Sequence, residues 1–197
     1  MPALAQSSAV ASATAHKTVL VMGDSLSAAH NLATAEGWVA LTADRIARTR
    51  PGWKVVNASI SGETTAGGAS RIEGELARHR PAVVVIELGA NDGLRGLPLV
   101  QSRANLERMI QASKDSGARV LLIGMRMPPN LGRAYTESFS ANYAALAKAH
   151  GISLLPFLLE PIALDRNAFQ DDNLHPVAAA QPRLRDHVWT ALEPLLD

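Results

Sequence analysis

The chain has 197 residues, 47% of them hydrophobic and 4% aromatic, which suits one domain with a continuous core and leaves a second domain cramped. Lysine and arginine total 19 against 18 acidic residues, so a net charge of +1 offers no electrostatic footprint for nucleic acid or an anionic membrane. The absence of cysteine excludes disulfides, thiolate metal sites and a cysteine nucleophile, and no apolar run approaches the ~18 residues that a membrane span needs.

Residues 1–17 are rich in Ala and Ser, contain no acidic residue and have no amphipathic period. They read as a disordered leader or signal-peptide remnant ahead of one domain over residues 18–197. Ala3-Leu4-Ala5 fits the small-x-small pattern of a signal-peptidase site, although the charged and long apolar regions of a secretory signal are missing upstream. A trimmed export signal implies a periplasmic or secreted protein, and an ordinary frayed terminus implies a cytoplasmic one.

From Thr18 onward short apolar runs alternate with helix-like segments, the pattern of a single α/β domain. The first strand is predicted over residues 18–22 and is followed by the polar turn Gly23-Asp24-Ser25 and a helix over 37–50. A second strand over 53–58 leads into Ser59-Ile60-Ser61-Gly62 and a helix over 67–79. The third, residues 83–88, is apolar at nearly every position, as a central parallel strand covered on both faces should be. Gly89-Ala90-Asn91-Asp92-Gly93 follows it, then a helix over 99–116, a strand over 119–125, a helix over 136–150 and a strand over 153–155. Gly117 and Gly151 stand where left-handed residues close helices, and Pro176 suits the first position of a last helix over about 176–195. Connections of this length make neighbouring strands parallel and right-handed, so ligands are expected at the carboxyl ends of the strands, where the winding reverses.

Every motif with chemical potential lies at such an end or on the final loop. A serine hydroxyl is a poor nucleophile at neutral pH unless a base takes its proton and a third group orients that base. Ser25 follows the first strand, and Asp172-Asn173-Leu174-His175-Pro176 supplies a carboxylate and an imidazole three residues apart. The N–H of Ser25, the N–H of Gly62 and the side-chain amide of Asn91 are candidate donors to an oxyanion. Each residue also has a plainer reading. Ser25 alone suits a helix cap, Asn91 a turn bonded to its own backbone, and Gly62 a loop with unusual angles. Among the other histidines, His79, His150 and His187 fall on or at the ends of helices, and His16 lies in the leader.

Together the four blocks Gly23-Asp24-Ser25-Leu26-Ser27, Ile60-Ser61-Gly62, Gly89-Ala90-Asn91-Asp92 and Asp172-Asn173-Leu174-His175-Pro176 resemble the SGNH, or GDSL-type, hydrolases. Within that family the similarity is to the bacterial thioesterase I, lysophospholipase and arylesterase group, and it runs from about Val19 to Leu195. The resemblance implies a three-layer α/β/α sandwich with a five-stranded parallel sheet, flavodoxin-like in its winding. It assigns Ser25 as nucleophile, His175 as base, Asp172 rather than Asp171 as its orienter, and Gly62 and Asn91 as oxyanion donors. Glu63 stands where the group commonly has Asp, and Leu131 where Tyr is frequent. His30, Met127, Pro128, Asn130 and Leu131 are the expected substrate-binding residues.

The expected activity is cofactor-free, metal-free hydrolysis of small or lipid-like carboxylic esters and thioesters through an acyl-enzyme. A carbohydrate O-acetyl esterase would use the same triad, but Met, Pro and Leu residues across 126–135 favour an apolar acyl pocket. A non-catalytic flavodoxin-like module holding a phosphate or flavin at the Gly23-Asp24-Ser25 turn leaves the Asp172/His175 pair unexplained. The α/β-hydrolase fold is disfavoured because Ser25 lacks the Gly-x-Ser-x-Gly elbow.

Overall fold

The computed structural model describes residues 16–197. The leader expected over 1–17 therefore lies outside the described residues except at its end, where Lys17 already opens the first strand. Strands β1 (Lys17–Gly23), β2 (Trp53–Asn57), β3 (Val83–Glu87), β4 (Arg119–Ile123) and β5 (Ser153–Leu155) form one parallel sheet ordered β2-β1-β3-β4-β5. Helices α1 (Trp38–Thr49) and α6 (Gln181–Leu192) pack together, while α2 (Thr65–His79) meets α4 (Leu99–Asp115) and α4 meets α5 (Arg133–His150). With right-handed crossovers this pairing places two helices on one face of the sheet and three on the other, the expected three layers.

The central strands hold the layers together. Val19 to Met22 of β1, Val83 to Ile86 of β3 and Leu121 to Ile123 of β4 are buried, each large side chain contributing about 1.5–3 kcal/mol relative to exposure. Because helices cover both faces, these strands show no polar alternation. The register sets Val21 beside Val85 on one side and Asn57 on the other. The chain leaves β1 for β2 and then crosses back to β3, so the winding reverses between β1 and β3 and opens a crevice at their carboxyl ends.

Local chemistry fixes the boundaries. Thr64 caps α2 by accepting from the Gly67 N–H, and Gly151 closes α5 in the left-handed conformation at φ 61°. Gly117, at φ 85°, follows α4 in the same region. Three expectations change in kind or by more than two residues. A short helix α3 (Ala90–Leu94) occupies the segment that reads as a turn, and α5 begins at Arg133 instead of 136. The last helix starts at Gln181, because Pro176 is held in an antiparallel bridge to Phe169 and Val177 N–H donates to the Ala168 carbonyl.

Gly89 joins β3 to α3 at φ 121°, a conformation side chains rarely adopt, and a Cβ there would collide with the Tyr143 hydroxyl. That hydroxyl donates to the Leu88 carbonyl at 2.9 Å inside the core. Gly89→Ala should therefore lower the unfolding free energy by about 2–4 kcal/mol, read as a reduced urea midpoint at unchanged slope. An unchanged midpoint would contradict the strain assigned to this turn.

Candidate active site

The turn after β1 is built around a buried carboxylate. Asp24 is 0% exposed, its Oδ1 accepts from Leu26 N–H at 3.0 Å, and its carbonyl accepts from the N–H groups of Ser27 and Ala28. Burial pushes the Asp24 carboxyl up to about 6, against the Leu26 N–H, the charge of His175 and the Asn91 amide, which favour its ionised form. Ser25 rides on this turn, and its carbonyl accepts from His30 N–H at 3.2 Å. Two non-glycine residues further on, Ala29 and Asn31, have φ of 57° and 58°, so the turn stores backbone strain.

The loop after β2 is zipped to this turn. Ala58 N–H donates to the Val21 carbonyl and Ile60 N–H to the Gly23 carbonyl, while Asn57 Nδ2 donates to the Ser27 carbonyl at 2.9 Å. Gly23 lies so close to Ser27 and Ser59 that a Cβ would clash with both, which is why the turn needs glycine. Gly62 follows at φ 80°, with its carbonyl held by Arg95 Nη2 at 3.0 Å. Among the described residues, neither the Gly62 N–H nor the Ser25 N–H has an acceptor. Asn91, on α3, directs Nδ2 to the Glu63 carbonyl at 3.0 Å and to Asp24 Oδ2 at 3.2 Å. Its neighbour Asp92, also buried, anchors α3 by accepting from Thr65 N–H, Thr65 Oγ1 and Ser102 Oγ.

The fourth segment arrives from the far end of the chain. Asp172 Oδ1 accepts from the backbone N–H groups of Leu174 and His175 at 2.9 and 3.0 Å. Its Oδ2 lies 2.6 Å from His175 Nδ1, and His175 Nε2 lies 2.8 Å from Ser25 Oγ. Burial opposes ionisation of Asp172, but the hydrogen bonds from the His175 N–H, the His175 ring and the Leu174 N–H outweigh it and lower the carboxyl to about 2. Gln170 ties this loop to the first turn: its Nε2 donates to the carbonyls of His30 and Pro176, and its Oε1 accepts from Asn31 Nδ2. Asp171 takes no part in the contact and is exposed.

A cavity of about 360 Å³ opens beside this contact, and Ser25, Asn91 and His175 are in its lining. Met125, Met127, Pro128, Phe157, Leu159 and Phe169 make its wall predominantly apolar. Of the residues expected to bind substrate, Met127 and Pro128 line the cavity, whereas Asn130 and Leu131 lie outside its lining. His30 also lies outside and instead packs on the His175 ring, with centroids 4.3 Å apart and planes tilted by 37°. His79 and His150 pair with Glu75 and Glu107, and His187 contacts the Phe157 carbonyl. Sequence reasoning missed Gln170, Arg95 and Glu87, whose partners are remote in the chain.

An open parallel sheet that brings a serine, a histidine and an aspartate into one chain of contacts at its carboxyl edge is shared by the hydrolases of SGNH type. Residues 21–181 match the GDSL-like Lipase/Acylhydrolase family, and the chain belongs to that family as a carboxylic ester hydrolase. It is 50% identical over 182 residues to esterase TesA of Pseudomonas aeruginosa, covering 92% of this chain and 90% of the relative. Identity to thioesterase 1/protease 1/lysophospholipase L1 of Escherichia coli is 42% over 189 residues, covering 94% and 88%. The crystal structure of the psychrotrophic esterase EstA from Pseudoalteromonas, inhibited by monoethylphosphonate, superposes with a TM-score of 0.87 at 37% identity, covering 91% of this chain and 98% of that one.

The lowered Asp172 carboxyl has a consequence for stability. Its contribution is present above the ordinary value of 3.8 and is lost as pH falls toward about 2, because protonation then removes the negative charge that strengthens three hydrogen bonds. The stability gap between the parent protein and Asp172→Asn, read from denaturant midpoints, should narrow as pH falls through this window. A gap that stays constant or widens would contradict the assignment.

Proposed function

We propose that the protein is a serine esterase that hydrolyses apolar carboxylic esters and thioesters through an acyl-enzyme on Ser25. The observation that carries this reading is the continuous contact from Ser25 Oγ through the His175 ring to Asp172, at 2.8 and 2.6 Å. His175 Nε2 takes the Ser25 proton as the hydroxyl attacks the acyl carbonyl, and Asp172 holds the ring so that Nε2 faces Ser25. The new carbon–oxygen bond turns the carbonyl into an oxyanion. The Ser25 and Gly62 N–H groups, which have no acceptor among the described residues, receive that charge. Asn91 completes the hole by exchanging its longer contact, the 3.2 Å one to Asp24, for the substrate oxygen.

Collapse of the tetrahedral species expels the alcohol or thiol, which takes its proton from His175. Water then attacks the acyl-enzyme with its proton passing to the same nitrogen, and release of the acid restores Ser25. The apolar cavity wall favours an acyl chain over a sugar. The relatives named as esterase, thioesterase and lysophospholipase fall in the same substrate range.

In p-nitrophenyl butyrate hydrolysis, Ser25→Ala should lower turnover by a factor on the order of 10⁴–10⁶, and a fluorophosphonate probe should label Ser25 in the parent protein alone. Asn91→Ala should lower turnover by about 10²–10³ with a smaller effect on KM, as expected for a donor that acts on the transition state. Equal rates in Ser25→Ala and the parent would overturn the reading. Turnover of acyl esters of increasing chain length against acetylated sugars tests the substrate class, and activity confined to sugar acetates would reassign it.

A further inference from the structure

Beneath the nucleophile turn lies a carboxyl group that the reaction just described does not use. Glu87, the last residue of β3, is 0% exposed and sits in strand register with Gly23, the residue at which β1 gives way to the turn. Its Oε2 accepts from the Ser27 hydroxyl at 2.6 Å, whereas its Oε1 is buried with no hydrogen-bond partner. No lysine, arginine or histidine among the described residues forms an ion pair with it. The titratable groups facing it are the buried Asp24 from the turn and the buried Tyr143 hydroxyl from α5.

Two adjacent buried carboxyls, neither of them in an ion pair among the described residues, cannot both carry charge at low cost. The hydrogen bonds say which one does. Asp24 has an acceptor role at each oxygen, toward Leu26 N–H and Asn91 Nδ2, so the charge is satisfied there. An ionised Glu87 would leave Oε1 desolvated and unpaired beside that charge.

We infer that Glu87 is a positioning residue held as a neutral carboxylic acid, which fixes the Ser25 turn from below through the Ser27 hydroxyl. Ser27 is a suitable relay because its N–H donates to the Asp24 carbonyl and its own carbonyl accepts from Asn57, so one side chain binds β3, the turn and the β2 edge together. Burial and the neighbouring Asp24 charge push the Glu87 carboxyl well above the ordinary carboxylate range, outweighing the Ser27 hydroxyl and the Asp24 backbone N–H that favour its ionised form, in keeping with a neutral group.

The inference rests on Ser25 being the nucleophile, so the two are tested side by side on Glu87→Gln, Glu87→Ala and Ser27→Ala. Glutamine keeps the shape and an acceptor for Ser27 without an ionisable proton. Glu87→Gln should therefore retain kcat for p-nitrophenyl butyrate within about fivefold of the parent, with the same pH profile. Glu87→Ala should lower kcat by about 10–10²-fold at near-constant KM and slow fluorophosphonate labelling of Ser25 in proportion. Ser27→Ala should show the same split to a smaller degree and keeps the test decisive if Glu87→Ala does not fold.

Thermal unfolding supplies a readout of charge. A raised folded-state value means that the unfolded chain ionises first, so the parent loses stability as pH rises above the ordinary carboxylate range. Glu87→Gln escapes that loss, and its melting temperature should exceed the parent's by a margin that grows with pH. Loss of kcat in Glu87→Gln as large as in Glu87→Ala, or a margin of opposite sign, would overturn the neutral assignment. Labelling of Ser25 at the parental rate in folded Glu87→Ala or in Ser27→Ala would overturn the positioning role, and failure of the parent to label at all would overturn the nucleophile instead.

Discussion

The site depends on holding one imidazole within hydrogen-bond reach of a hydroxyl whose residue lies 150 positions earlier in the chain. A ring on a long loop would sample many orientations, and ordering it costs conformational entropy that other contacts must offset. Here the offset is local and dense. The loop closes on itself through the Phe169–Pro176 bridge, the Gln170 N–H to the His175 carbonyl and the two N–H groups gathered by Asp172 Oδ1. Gln170 then fastens the closed loop to the His30 carbonyl, and the His30 ring covers a face of the His175 ring. The imidazole is thus fixed by its own loop, by the opposite turn and by a stacked neighbour before any substrate arrives.

The same economy governs the turn that receives it. Asp24, just after β1, and Asp92, on the short helix that follows β3, are buried carboxylates, and each collects donors from elements distant in sequence. A buried carboxylate is costly when unpaired, so each binds its surrounding segments into the one arrangement that satisfies it. Asp24 joins the turn to Asn91; Asp92 joins α3 to the start of α2 and to α4. The carboxyl edge of the sheet is consequently a preorganised polar layer on an apolar base, the arrangement in which fixed donors stabilise developing charge with little reorganisation.

Much of this was legible in the sequence because the relevant signals are local. The β-branched run Val83-Val84-Val85-Ile86 reads as a central strand, and Asp172 and His175 share one loop at a spacing that lets the carboxylate meet both ring and backbone. Most of what was not legible depends on partners far away in the chain. Glu87 looks like the polar end of a strand until Ser27 and Asp24 are seen above it. Gln170 is unremarkable until His30 and Pro176 accept from its amide. Asn91-Asp92-Gly93 carries turn chemistry, yet it forms a helix because Asp92 finds its donors on α2 and α4 instead of its own backbone. Pro176 suits a helix start, but the loop needed it in a bridge.

The proposed reaction acylates Ser25 during turnover with assistance from His175. The most direct measurement is rapid acid quench of the parent protein mixed with excess acyl ester, followed by intact-mass and peptide mass spectrometry. That reaction requires one acyl adduct per chain, located on the peptide that contains Ser25 and absent in His175→Ala on the same timescale. Product formed at the full rate with no adduct, or an adduct on another residue, would contradict it.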